Sequence, residues 1–148
     1  MTTRTNVDHE TFTISFERVF ASSREDVFEA WTDAAQIKQW WDPTGVPLAN
    51  CAVDLRPGGT FRFTMATQHA HDFTGVYRVV DPPSQLVFDA MGAIGTVRLQ
   101  EVGEHTHMTV SIRCSSAEHL EQFVKLGVAD GTNQTLDNLV AHFKRRKA

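Results

Sequence analysis

The sequence predicts an α+β fold: a curved antiparallel sheet of about seven strands wrapped around a long C-terminal helix, with two short helices after the first strand. Three observations carry it. The only long helical pattern is Ser115–Arg146, at the end of the chain. Before it, apolar and polar residues alternate with period two in one segment after another. The links between those segments are too short for parallel crossovers, so the later strands form a meander. One face of such a sheet must be covered, and only the C-terminal helix is large enough to do so. A sheet curled round a helix encloses space, where a small-molecule pocket is expected.

The first residues, 1–9, read as a flexible polar arm. From Glu10 to Phe20, Phe12, Ile14 and Phe16 alternate with Thr11, Thr13 and Ser15, the pattern of a half-buried strand. Ser22 with Glu25 then makes a capping box, and Val27, Phe28 and Trp31 follow at helical spacing. Asp33 can cap a second short helix carrying Ile37, Trp40 and Trp41, which Asp42-Pro43-Thr44-Gly45 stops. The period changes from Asn50 onward. CAVDL is a short strand, RPGG a tight turn, and TFRFTMAT a strand with Phe61, Phe63 and Met65 on one face. The strand over residues 72–80 is ambiguous, since Phe73 and Tyr77 alternate against Val76, Arg78 and Val80. Asp81-Pro82-Pro83-Ser84 ends it. QLVFDA, TVRLQEV and HMTVSIRC complete the set, with Gly103-Glu104 as the last hairpin turn.

Leu120, Phe123, Val124, Gly127 and Val128 lie on one face of the terminal helical pattern; Leu136, Leu139, Val140 and Phe143 lie on another, rotated by about 140°. Gly127 and Gly131 fall between, each costing a helix interior about 1 kcal/mol against Ala. Either the helix breaks there, or a continuous helix brings a small, polar middle up to a cavity. The closing residues 144–148 form a basic tail that complements a helix end.

At 148 residues the chain suits one domain over 1–148. Its formal charge of −4 argues against a nucleic-acid binder. No apolar run approaches a membrane span and no signal-peptide core opens the chain, so a cytoplasmic location is expected. Cys51 and Cys114 stand far apart and read as free thiols.

The segments VFEAWTDAAQIKQWWDP, DLRPGGTFRFTM, GVYRVVDPPSQLVF and GTNQTLDNLVAHF resemble, in order and spacing, the family of homologues of the activator of the heat-shock-protein-90 ATPase. The likeness runs from about Thr11 to Phe143. That family belongs to the START-like, helix-grip (SRPBCC) superfamily, which also holds polyketide cyclases and plant carriers of hydrophobic ligands. The resemblance implies the helix-grip fold, and a role as ligand binder, as co-chaperone-like partner of the heat-shock ATPase, or as cyclase-like or resistance enzyme. The family carries Gly-Trp in its last helix, whereas here Gly131 is followed by Thr132. The missing indole implies a roomier or more polar pocket, or a replacement such as Phe123 or Trp41 filling the gap.

The residues themselves favour a binder over an enzyme. His69, His71, His105 and His107 suggest metal ligands, but the two pairs fall at opposite ends of a meander and neither supplies a full zinc set. Asp89, Tyr77, Arg62 and His71 are the candidate acids and bases; none pairs with a second group at a diagnostic spacing. No cofactor and no metal is called for. The expected partner is a small hydrophobic molecule, and an exposed sheet edge is compatible with a homodimer. Its expected walls are Trp40, Trp41, Phe61, Phe63, Met65, Tyr77, Phe88, Phe123, Gly127, Gly131 and Thr132.

Overall fold

The computed structural model describes residues 4–66 and 71–147. In chain order the elements are β1 (Arg4–Asp8), β2 (Thr13–Phe20), α1 (Arg24–Thr32), α2 (Ala34–Trp40), β3 (Asn50–Val53), β4 (Thr60–Thr64), β5 (Phe73–Asp81), β6 (Gln85–Ala90), β7 (Ala93–Val102), β8 (His105–Arg113), α3 (Ala117–Lys125) and α4 (Val128–Lys147). The strands form one sheet in the order β1-β2-β8-β7-β6-β5-β4-β3, and every neighbouring pair is antiparallel. The long jump from β2 to β3 is bridged by α1 and α2, which leaves β1 and β3 as the two edges.

The predicted meander stands, with eight strands in place of seven. The added strand is β1, inside the segment expected to be a flexible arm. It pairs with β2 from Arg4↔Glu17 to Asp8↔Thr13. Its polar residues conceal it, because an edge strand draws on ladder hydrogen bonds more than on apolar burial. The reversal into β2 is built locally. The Asp8 carboxylate accepts from the backbone N–H of Glu10 and Thr11, and Phe12 takes a φ of 58°. The cap of α1 is Ser23, whose side chain accepts from Asp26 N–H, rather than Ser22, while Asp33 caps α2 as expected.

Two reversals sit beside the inner face of the sheet. Met91 and Gly92 join β6 to β7 with φ of 55° and 76°, the two positive angles a two-residue hairpin of this twist requires. In β5 a register shift between Tyr77 and Val79 marks a bulge. The bulge accounts for the ambiguous alternation there: Phe73, Gly75 and Tyr77 face inward before it, and Val80 after it.

The C-terminal helical pattern is two helices. Gly127, with φ of 76°, separates α3 from α4, a left-handed position that glycine fills without steric cost. The four residues 144–147, expected as a tail, are the last turn of α4. The core lies between α4, the α1–α2 pair and the inner face of the sheet. Leu136, Leu139, Val140 and Phe143 are buried there against Ile14, Phe16 and Phe20 from β2.

One member of that face is charged. Arg18 on β2 has no solvent exposure. Its Nη1 donates to Glu17 O, and its Nη2 donates to Asn133 Oδ1 at 3.0 Å and to Asp137 Oδ1 at 3.2 Å on α4. Removing only the anion leaves a buried guanidinium without a counter-charge, whereas removing both charged partners can be nearly neutral. Asp137 is 58% exposed, and solvent screening weakens the pair. Asp137→Ala is therefore expected to lower stability by about 1–2 kcal/mol. The double variant Arg18→Met/Asp137→Ala is expected to be the more stable of the two in urea denaturation. A double variant less stable than Asp137→Ala would show that Arg18 matters for its packing and not for its charge.

Candidate functional site

Beneath the first half of α4 the sheet and helices do not meet. A cavity of about 260 Å³ opens there. Its sheet wall includes Phe73, Phe88, Gly95, Val110 and Ile112; its helical wall includes Trp41, Phe123, Val128, Gly131, Thr132, Thr135 and Leu136. Pro43, Met65 and Met91 also line it. No charged side chain is among the lining groups.

The helix stands off for identifiable reasons. Gly131 and Thr132 are small, and the nearest side-chain atom that a Cβ on Gly131 would meet is Pro43 Cγ, 4.0 Å away. Thr135 Oγ1 donates to Trp41 O at 3.0 Å, and Asn138 Nδ2 donates to Asp42 O at 2.9 Å, so α4 is tied to the end of α2. Arg18 ties its other flank to β2.

The floor of the cavity is aromatic and flat. Phe88 pairs directly with Gly95 across the β6–β7 ladder, and Phe61 with Gly75 across β4–β5. A Cβ built on Gly95 would stand 2.6 Å from two ring carbons of Phe88, and one on Gly75 would collide with the Phe61 ring. Each ring therefore lies down over a glycine.

Beside the cavity, between the sheet and the α1–α2 pair, is a second, much smaller space of about 10 Å³, lined by Trp31, Ile37, Trp40, Trp41, Phe61, Phe63, Phe73, Tyr77, Leu86 and Phe88. It shares Trp31, Trp41, Phe73 and Phe88 with the main cavity. The rings touch in series: Trp40 to Trp41 at 5.6 Å between centroids, Trp41 to Phe73 at 5.0 Å, Phe61 to Tyr77 at 5.1 Å and Phe61 to Phe88 at 5.6 Å. Trp31 Nε1 donates to Met108 Sδ at 3.3 Å and Trp40 Nε1 to Ala30 O at 3.1 Å. Burial, with a smaller push from Cys51, raises the Tyr77 phenol well above its ordinary range, so it stays protonated. Burial likewise pushes the Cys51 thiol up to about 11, against an opposing pull from Lys38.

Of the residues expected on the walls, the structure brings Trp41, Met65, Phe88, Phe123, Gly131 and Thr132 to the main cavity. Trp40, Phe61, Phe63 and Tyr77 lie beside it, round the small space. Gly127 is on neither wall. It is exposed, and a Cβ there would meet nothing within 4 Å, because it serves the helix break. Phe73 was hidden by the mixed alternation of its strand, and Met91 by a loop position that no periodicity marks. The candidate acids and bases other than Tyr77 lie away from the cavity. Asp89 pairs with Arg78, Arg62 Nε lies 2.8 Å from Asp72 Oδ2, and His71 is exposed. His69 lies outside the described residues. Among the described residues no cluster of His, Cys, Asp or Glu could hold a metal ion, and no helix is long and apolar enough to cross a membrane.

Among solved structures, a protein from Mycobacterium smegmatis superposes with a TM-score of 0.84 at 21% identity, over 97% of this chain and 98% of that one. A protein from Rhodobacter sphaeroides gives 0.86 at 20% identity, over 97% and 99%. The AHSA1-like protein from Aeromonas hydrophila gives 0.77 at 24%, over 91% and 94%. At these identities the likeness is one of fold, the START-like helix-grip arrangement. A comparison with curated proteins finds no match. The family model described as "Activator of Hsp90 ATPase homolog 1-like protein" matches residues 21–144. That match spans both short helices, six of the eight strands and nearly all of α4, and the chain belongs to this family.

Proposed function

We propose that the protein binds a small, uncharged, mostly apolar molecule in the cavity between the sheet and α4. The observation that carries this reading is the void itself. Protein interiors pack to crystal density and seldom keep spaces larger than a water molecule, because each unfilled wall forfeits its dispersion contacts. A cavity of about 260 Å³ with apolar walls is a large departure from that rule. An engineered apolar cavity of ~150 Å³ in another protein accepts benzene. By proportion, this one suits a compound of roughly ten to twelve non-hydrogen atoms. An ionised ligand is disfavoured, since the walls offer no counter-charge.

Two properties argue for binding over bond-making. Asp89 and Arg62 are engaged in ion pairs with Arg78 and Asp72, and burial holds the Tyr77 phenol and the Cys51 thiol, which pairs across the ladder with Phe63, in their neutral forms. The identity of the residue after Gly131 then becomes a volume control, since Thr132 lies on the wall.

A titration with 2-ethylnaphthalene, followed by its own fluorescence, is expected to show saturable one-to-one binding in roughly the tens of micromolar. Thr132→Trp places an indole in the same space and is expected to weaken that binding at least several-fold while leaving the fold intact by circular dichroism. Absence of saturable binding by the wild-type protein would overturn the reading.

Burial of Cys51 has a measurable consequence. Its folded value of about 11 lies above its ordinary 9.0. The folded state therefore holds the proton longer, and this contribution to stability is fully present below the unfolded value and lost as pH rises through the folded one. Urea midpoints are expected to stay level up to about pH 8.5 and to fall from about pH 9 to 11. The slope should be smaller in Cys51→Ala, with Tyr77 and Cys114, both shifted in the same direction, supplying what remains.

A further inference from the structure

We infer that the cavity has a polar subsite in the small space that adjoins it, made by the Tyr77 hydroxyl and the Trp41 indole N–H, which accepts a single carbonyl oxygen carried on an otherwise apolar ligand. This rests on the reading of the cavity as an apolar ligand site and adds the chemistry of the group that would be recognised there.

Buried polar side chains normally find partners, and in this aromatic layer two of four do. Trp31 and Trp40 commit their N–H groups to Met108 and Ala30. Tyr77 and Trp41 are the exceptions: neither the hydroxyl nor Nε1 hydrogen-bonds to any group among the described residues. Yet Tyr77 is only 3% exposed. Among the described residues, the buried side-chain polar atoms that have neither a partner nor accessible surface are Nε of Arg18 and Nε of Arg24. The Tyr77 hydroxyl and Trp41 Nε1 are not among these, so each, unpaired, keeps some accessible surface. Both residues line the small space of about 10 Å³ beside the cavity, which is about the room one oxygen-sized group needs. Trp31, Trp41, Phe73 and Phe88 line both that space and the main cavity, so the two adjoin.

The placement of Tyr77 is built, not incidental. The bulge in β5 falls directly after it, and bulges re-aim side chains beside sites. The RPGG turn fixes its backbone from the other side: Gly58 N–H donates to Tyr77 O at 2.8 Å, and Tyr77 N–H donates to Gly59 O at 2.9 Å. Gly59 must be glycine for this, because a Cβ there would collide with Asp54 O.

The chemistry of the occupant follows from the donors. An indole N–H only donates, and a protonated phenol can donate to the same atom. Two donors on one site match the two lone pairs of a carbonyl oxygen. A carboxylate is excluded by the lack of any cation on either wall. In the empty protein a water molecule accepting from both groups would fill the space, and the ligand's carbonyl oxygen takes its place.

The test compares 2-acetylnaphthalene with 2-ethylnaphthalene, which share size and shape and differ in the carbonyl oxygen. The wild-type protein is expected to bind the ketone roughly three- to tenfold tighter. Its infrared carbonyl band should lie at lower frequency in the complex than in hydrocarbon solvent. Tyr77→Phe removes a hydroxyl with no protein partner, so it should fold normally and bind the hydrocarbon within about twofold of wild type. The variant should lose most of the ketone preference and shift the carbonyl band back. Equal binding of the two compounds by wild type, or a preference and a band that survive Tyr77→Phe, would overturn the subsite while leaving the apolar cavity standing. Failure of 2-ethylnaphthalene to bind at all would overturn the cavity reading and the subsite together.

Discussion

The arrangement depends on a helix that is tied down by polar bonds on both flanks and cannot settle onto the sheet beneath it. On one side Arg18, buried in β2, reaches Asn133 and Asp137. On the other, Thr135 and Asn138 hold the backbone of Trp41 and Asp42. Hydrogen bonds tolerate little change in length, so these tethers set the height of α4 above the sheet. Where α4 carries Leu136, Leu139, Val140 and Phe143, that height is filled. Where it carries Gly131 and Thr132, it is not. The cavity is thus the difference between a height fixed by polar contacts and a volume supplied by side chains. An apolar helix free to slide would close it, since collapse recovers dispersion and burial free energy.

The opposing wall has a different logic. The layer that includes Trp40, Trp41, Phe61, Phe63, Phe73, Tyr77 and Phe88 is rigid, because edge-to-face and tilted ring contacts at about 5–6 Å favour definite orientations. A site between such a layer and a tethered helix is largely preformed, which lowers the ordering cost of binding. The free end is elsewhere. Gly127 separates α3 from α4, and Val124 and Leu126 just before it are exposed.

Most of the architecture was legible because its signals are periodic: alternation marked the strands, and Asp33, Pro43 and the double glycine marked their boundaries. What escaped was set by context. β1 has almost no apolar content, since an edge strand is held by its neighbour's ladder. Trp40 and Trp41 are adjacent in sequence yet differ in role. Trp40 is fully buried with its N–H bonded to Ala30, while Trp41, at the cap of α2, turns to the cavity. No spacing argument separates neighbours at a helix end. Phe73 was obscured by a bulge further along its strand, which reverses the phase without any residue type that announces it. Gly127 and Gly131 looked equivalent, and only the backbone distinguishes a glycine needed for its φ from one needed for its size.

The pairing of Phe88 with Gly95 and of Phe61 with Gly75 reaches beyond local packing. A ring that lies flat over a glycine makes the sheet locally thinner, by roughly the difference between an upright and a reclining phenyl group. The depth of the site is therefore encoded in the sheet by hydrogen atoms in place of methyl groups, at positions remote from any helix. Related chains could deepen or fill the same cavity by exchanging these glycines, with the outline of the fold and the tethers of α4 unchanged. Ligand size in such proteins would then be inherited through the strands, and the helix would serve as the lid of a vessel whose capacity is set by its base.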